Sequence, residues 1–330
     1  MSKSRNIFLL FLLFLLLIGC DKKVKRVDEE RFAFGTFFKV SVFSNDEKKA
    51  KEDIDKTFQE IERIDSKYNS KVKGSLVDRL NTDKKVNFDE EGIFLLSEVN
   101  RAYKLSEGKY DITMEPLMTV WGFSEDVPPR ESLPSDLELE NAASNVDFSQ
   151  VKVDGNTVII GKDGIKIDTG SFLKGYAVKK AGEKLRAAGV RSGFISAISS
   201  IEAIGVKGDG TPWKIGIQNP NNPSEILGIV ELNNQSMGVS GDYQTYVEID
   251  GKRYHHIIDK NTKYPVKDKK MVVVVNKNSF EADLYSTTFF LMPIERVLEK
   301  ANETPDLDVL IVDKNDEIYV SKNLKFTKKQ

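Results

Sequence analysis

Cysteine is almost absent: Cys20 is the one such residue in a chain of 330. A single thiol excludes an intrachain disulfide framework and any metal cluster built on several cysteines. Histidine is nearly as scarce. His255 and His256 are the two in the chain, so a zinc centre built on three histidines is excluded as well. A metal, if used, must be held mostly by oxygen, which favours magnesium or calcium. A surplus of one charge is also missing. The 49 Lys and Arg stand against 51 Asp and Glu, and this net −2 gives no pointer to a nucleic acid partner. Gly and Pro, at 22 and 10, are too few for a low-complexity chain. What remains is a soluble globular composition, 40% apolar and 30% charged, long enough for one large or two ordinary domains.

The long apolar run is Ile7 to Ile18, twelve residues preceded by Lys3 and Arg5. It is well short of the roughly 20 residues that span a bilayer as a helix. A charged start and a short apolar core make a secretory signal peptide. The run closes in Leu17-Ile18-Gly19-Cys20, which resembles a bacterial lipobox. The expectation is a lipoprotein signal peptide over 1–19, lipidation (palmitate among the acyl chains) on Cys20, and a charged tether over 20–30. Removing Lys3 and Arg5 lowers the basic count from 49 to 47 against 51 acidic residues, a formal −4. Several acyl chains anchor a protein stably to a membrane. Asp21 directly after the cysteine resembles an inner-membrane retention signal. The working domain is therefore expected outside the cytoplasm, on the periplasmic face of the inner membrane.

Thr36 to Phe43 alternates around Phe38, Val40 and Val42, which predicts a strand. Ser44 or Asn45 then caps a helix carrying Ile54, Phe58, Ile61, Ile64 and Tyr68 as one apolar stripe. A second helix is predicted from Glu90 to Glu107, stopping at Gly108. Ser124 to Ser149 is polar and aperiodic and reads as a long loop or insertion. Asp154-Gly155-Asn156 between apolar runs signals a hairpin, followed by a short strand at Ile165 to Ile167 and a helix over Phe172 to Ala188. Strands are predicted at Phe194–Ile198, Glu202–Val206, Lys214–Ile217, Leu227–Leu232, Tyr246–Ile249, Arg253–Ile258 and Val272–Val275, and a helix at Phe280–Met292. Strand runs and hairpins mixed with a few helices predict an α+β fold with mixed or antiparallel sheets and several packed helices.

Four segments carry residues of chemical interest. In Glu281 to Thr288, a helix would place Asp283 and Thr287 on one face, two oxygens for a hard cation; such a pair also suits any helix surface. In Ile167 to Val178 a strand ending in Asp168 leads through Ser171 into a helix, whose free N–H groups and Lys174 favour an anion; a plain capped turn reads the same way. In Ser240-Gly-Asp-Tyr and His255-His256-Ile-Ile-Asp259, opposite facing sends one imidazole inward and one outward, and an outward His near carboxylates can accept a proton. Gly108 to Thr113 and Pro116 to Phe123 could hold a flat heterocycle or form core.

Taken in this order, the segments resemble the ApbE family. The matching stretches are Phe34-Gly-Thr36, Tyr68 through Leu80-Asn81, Tyr110-Asp-Ile112, Trp121-Gly-Phe123, Asp168 through Val178, Ser240 to Tyr243, His256 to Asp259 with Pro265, and Ala282-Asp283 through Thr287. The resemblance implies an ApbE-like domain over 31–325 and an FAD:protein FMN transferase. Such an enzyme binds FAD with Mg2+, moves FMN to a Thr or Ser hydroxyl of another protein, and releases AMP. It implies Asp283, Thr287 and Ser171 as metal ligands, Ser171 through its backbone oxygen. It places Phe34, Tyr68, Lys109, Tyr110, Asp111, Asp168, Lys174 and Ile258 at or beside the flavin nucleotide, with catalytic roles for Asp283 and for His256, favoured over Asp242 and Asp259 as proton acceptor. The partners it implies are acceptor flavoproteins of extracytoplasmic redox complexes.

The chain departs from the family pattern at several points. Phe34 stands where Met is usual, Asp168-Thr-Gly-Ser-Phe carries fewer glycines, Ser199-Ser200 replaces a Gly-Gly pair, and Lys260 follows Asp259 where Pro is usual. The last change predicts a looser loop. Two other readings stay open at this stage: an FAD pyrophosphatase yielding FMN and AMP, and an FAD-binding lipoprotein without turnover.

Overall fold

The structure is a computed structural model describing residues 24–329 except 125, 126 and 129. The signal segment 1–19 and Cys20 lie outside the described residues. The centre is one eight-stranded sheet. Its strands are β1 (Lys25–Ala33), β2 (Thr36–Ser44), β3 (Gly193–Ala197), β4 (Ser200–Ile204), β5 (Ser236–Gly241), β6 (Lys269–Asn276), β7 (Asp308–Asp313) and β8 (Ile318–Val320). Their spatial order is their chain order, and every neighbouring pair is antiparallel. The fold is thus a meander with long insertions, an α+β architecture.

The central strands are buried on both faces, and their sequences say so. In β6, Val272 and Val274 pack into the larger core, whereas Met271, Val273 and Val275 pack into a second one. A continuous apolar run is what a strand covered on both sides requires. The larger core lies under three helices: α1 (Glu47–Tyr68), which contributes the stripe Ile54, Phe58, Ile61 and Ile64; α6 (Leu173–Ala187), with Ala177, Ala181 and Leu185; and α7 (Ser279–Phe290), with Phe280 and Leu284. The opposite face is covered by a small sheet of Trp213–Asn219, Asn222–Leu232 and Phe326–Lys328. Trp213 stacks on Phe194 there, ring centroids 5.1 Å apart.

The remaining helices are α2 (Leu76–Asp83), α3 (Glu90–Leu105), α4 (Glu115–Val120), α5 (Asp136–Ala143) and α8 (Ile294–Glu303). A third apolar cluster joins α4 and α5 to the loop after Lys252–His255 through Leu117, Trp121, Leu139, Ala142 and Ile258. Trp121 is fully buried and its Nε1–H donates to the Lys263 carbonyl at 2.9 Å. This cluster fixes one wall of the cleft described below.

Several expectations are corrected. From Lys25 onward the supposed tether is strand β1, paired with β2 over nine residue pairs. Charge conceals it, since only Val27 and Ala33 of the nine are buried. An edge strand bearing charges is protected against pairing with other chains. Helix α1 is capped by Asp46, whose side chain accepts from the Lys49 N–H, rather than by Ser44 or Asn45. The stretch expected as a loop contains α5, started by a capping box of Ser135 and Glu138. Ile165 to Ile167 is not in a sheet: Asn81 takes the place of a neighbouring strand, its side chain donating to the Ile167 carbonyl and accepting from the Ile167 N–H.

Candidate active site

A cavity of about 360 Å³ opens between the C-terminal end of β5, the N-terminal turn of α6, the middle of α7 and the wall built around Trp121. It brings together Lys109, Tyr110, Asp111, Asp168, Ser171, Lys174, His256, Ile258, Asp283 and Thr287. Ten residues singled out in the sequence, from segments far apart in the chain, therefore line one cleft.

Asp283 sits at its base. α6 lacks a side-chain cap at Phe172. Instead the Gly175 N–H of its first turn donates to Asp283 Oδ2 at 2.8 Å, and Ser200 Oγ donates to Oδ1 at 2.8 Å. Gly175 is required there, because a Cβ would lie 2.2 Å from the Asp283 Cβ. Burial pushes the Asp283 carboxyl above its ordinary range, against the opposing pull of Lys174, Ser200 and Gly175. One turn on, Thr287 Oγ1 lies 3.0 Å from Ser240 Oγ. The Ser171 hydroxyl is shared with Tyr110 at 2.8 Å, and the Lys174 ammonium donates to the Gly170 carbonyl at 3.0 Å. Among the described residues no group of three or more His, Cys, Asp or Glu is placed to hold a metal. The donors here are of another kind: one carboxylate bonded to two neutral groups, plus hydroxyls. That is an oxygen set suited to a hard cation completed by substrate phosphates and water. The residues therefore fit magnesium.

The two histidines part company. His255 is buried and consumed structurally, with Nδ1 accepting from the Ile257 N–H and Nε2–H donating to the Val266 carbonyl. His256 lines the cleft, and its Nδ1 lies 3.1 Å from the Thr245 carbonyl. A carbonyl can only accept, so the ring proton belongs on Nδ1 and Nε2 keeps its lone pair. Burial drives the imidazole down to about 4, so it is neutral across the physiological range.

Two predicted contacts are not in the cleft. Tyr68 is 1% exposed and its hydroxyl donates to Asp89 and Glu91, joining α1 to the start of α3. Its chain neighbours take the position instead: Lys71 lines the cleft, and Ser70 Oγ donates to Asp168 Oδ1 at 3.2 Å. Phe34 occupies the β1–β2 turn at φ +52°, packs on Phe38 and donates its N–H to Asp65, and it does not line the cavity. The loop after Asp259 is pinned rather than loose. Lys260 Nζ reaches Asp111 Oδ2 at 2.9 Å and lies over the Tyr103 ring. Asp111, its side chain fully buried, also accepts from the Thr113 N–H and hydroxyl and the Phe148 N–H.

Sequence reasoning misses Met114 and Ile198, which line the cleft, whereas Met118, one turn after Met114, falls in the Pro116–Phe123 stretch read as a heterocycle site or core. Ile198 is a β-branched residue at φ +50° and 69% exposed. An exposed apolar side chain held in that conformation costs energy that a ligand contact would justify. A lone isoleucine at a strand end gives no such signal in the sequence.

Solved structures share this arrangement of chain. The ApbE protein of Thermotoga maritima aligns with a TM-score of 0.80 at 28% identity, over 90% of this chain and 97% of that one. The flavin transferase ApbE from Vibrio cholerae aligns with a TM-score of 0.80 at 25% identity, over 91% and 98%. A curated relative from Haemophilus influenzae, named FAD:protein FMN transferase, is 30% identical over 95% of this chain and 94% of its own length. Fold and cleft thus define a transferase enzyme. The ApbE family model matches residues 34–311, and the chain belongs to the ApbE family.

Proposed function

We propose that this chain is a magnesium-dependent FAD:protein FMN transferase that modifies Thr or Ser hydroxyls of acceptor proteins and releases AMP. The observation that carries the reading is the convergence on one cleft of Asp283, Thr287, Ser171, Lys174 and an imidazole with an open nitrogen. Asp283, Thr287 and the backbone oxygen of Ser171 would hold Mg2+. The bound ion would supply charge neutralisation on the phosphate oxygens.

The reaction exchanges one P–O bond for another. The acceptor hydroxyl oxygen bonds to the FMN phosphorus as the bond from that phosphorus to the AMP oxygen breaks. AMP leaves with the bridging oxygen, and the hydroxyl proton passes to His256 Nε2. Lys174 offsets diphosphate charge from the first turn of α6, where N–H groups also favour an anion. Met118, Phe123 and Ile258 offer an apolar wall for the flavin ring. Phosphoryl transfer depends mainly on this kind of positioning and charge compensation. The proposed location, lipid-anchored through Cys20 outside the cytoplasm, rests on the lipobox-like sequence. The proposed acceptors are flavoproteins of extracytoplasmic redox complexes.

The test mixes the mature domain with FAD, Mg2+ and a candidate acceptor and looks for flavin fluorescence on the acceptor in a denaturing gel. A labelled acceptor, lost with a chelator and restored by Mg2+, is the expected result. Free FMN and AMP without labelling would make the chain a pyrophosphatase, and intact bound FAD would make it a carrier.

A further inference from the structure

Asp283 is held from behind by a frame that spans three elements. β4 turns Ser200 and Glu202 to the same side, and α7 turns Ser279 and Asp283 toward it, one turn apart. Two residues of strand advance about 6.6 Å and four residues of helix about 6 Å, so the two spacings match. Two rungs result. Ser200 Oγ donates to Asp283 Oδ1 at 2.8 Å, and Ser279 Oγ donates to Glu202 Oε2 at 2.6 Å.

α6 closes the frame with Gly175 and Gly182, seven residues apart on one face. Gly175 serves both rungs, its N–H donating to Asp283 and its carbonyl accepting from Ser279 Oγ at 3.2 Å. A Cβ on Gly182 would lie 2.1 Å from Glu202 Oε1. Arg186 pairs with Glu202 from the outer side. The rungs differ in kind. Glu202 is answered by Arg186 and lies outside the cleft, whereas Ser200 is 0% exposed and gives its proton to a carboxylate that faces the cleft. With one neutral donor on each oxygen, the Asp283 carboxylate keeps acceptor capacity on both.

We propose that Ser200 is a positioning residue for the divalent-cation site, fixing the rotation of the Asp283 carboxylate, while the Glu202 rung carries stability alone. This rests on the reading of Asp283 as a metal ligand. Groups that orient a ligand from behind typically change metal affinity 10- to 100-fold, on the order of magnitude expected here.

The experiment is Mn2+ binding, followed by the electron paramagnetic resonance of free Mn2+, on FAD-loaded protein without acceptor. Ser200→Ala and Ser200→Gly are each expected to weaken binding about tenfold or more. Their kcat should recover at saturating Mg2+. Glu202→Gln should lower the thermal midpoint and leave Mn2+ affinity within about twofold of the parent, far below the change expected of a ligand-orienting group. Parental affinity in both Ser200 variants, or an equal loss in Glu202→Gln, overturns the proposal. Asp283→Ala separates the two readings. Loss of Mn2+ binding there, with no effect at Ser200, overturns only the positioning role. Undiminished binding in Asp283→Ala removes the metal reading and this proposal together.

Discussion

Asp283 does two jobs with one side chain: it caps α6 through Gly175 and presents oxygen to the cleft. Asp283→Ala is therefore expected to abolish FMN transfer, by at least about a hundredfold if the metal site is lost. It should also cost about 1 kcal/mol of stability from the missing cap. Denaturant unfolding beside an acceptor-labelling assay measures both, and near-parental labelling would remove the metal assignment. His256 makes a separate prediction. Its folded value of about 4 lies below the ordinary 6.5, so the unfolded chain binds the proton more readily. Stability should fall as pH drops from about 6.5 toward 4 and level off below that. His256→Asn should flatten part of this fall in a series of thermal midpoints, while acceptor labelling at neutral pH drops. An unchanged pH dependence would contradict the burial argument.

At the scale of elements, the ion pair between Lys260 and Asp111 does the work that a rigid loop residue would do. Lys260→Met leaves the buried Asp111 carboxylate with three donors but no countercharge. A loss of about 1–3 kcal/mol is expected. The KM for FAD should rise, because Ile258 lines the cleft on the same loop. An unchanged unfolding midpoint and KM would refute that role. This contact also marks the limit of what the sequence reveals. Elements with strong periodicity are legible from the residues alone, as with the Ile54–Tyr68 stripe and the run Val272 to Val275. β1 and α5 are not, because charge masks the one and a short amphipathic stretch within a polar segment hides the other. Residues on distinctive motifs, such as Asp168, Lys174, His256 and Asp283, line one cleft. Tyr68 falls on a matching segment but is consumed by Asp89 and Glu91. Ser200 and Glu202 gain their meaning only when a strand and a helix lie side by side, which no local pattern announces.

For the molecule as a whole, no helix among the described residues is long and apolar enough to cross a membrane. The proposed attachment rests on the lipobox-like sequence ending in Cys20. Cys20→Ala is expected to abolish acylation, read as loss of incorporation of a labelled palmitate precursor, while FMN transfer by the domain itself persists; parental incorporation would refute the anchor. The start of β1 at Lys25 sets the terms of such attachment. Only residues 20–24 separate the proposed acyl-bearing end from the sheet. Fully stretched, that leash reaches about 18 Å. The start of β1 would then stay close above the lipid surface, so the height at which a target hydroxyl can be met would be governed by the dimensions of the folded domain rather than by the leash.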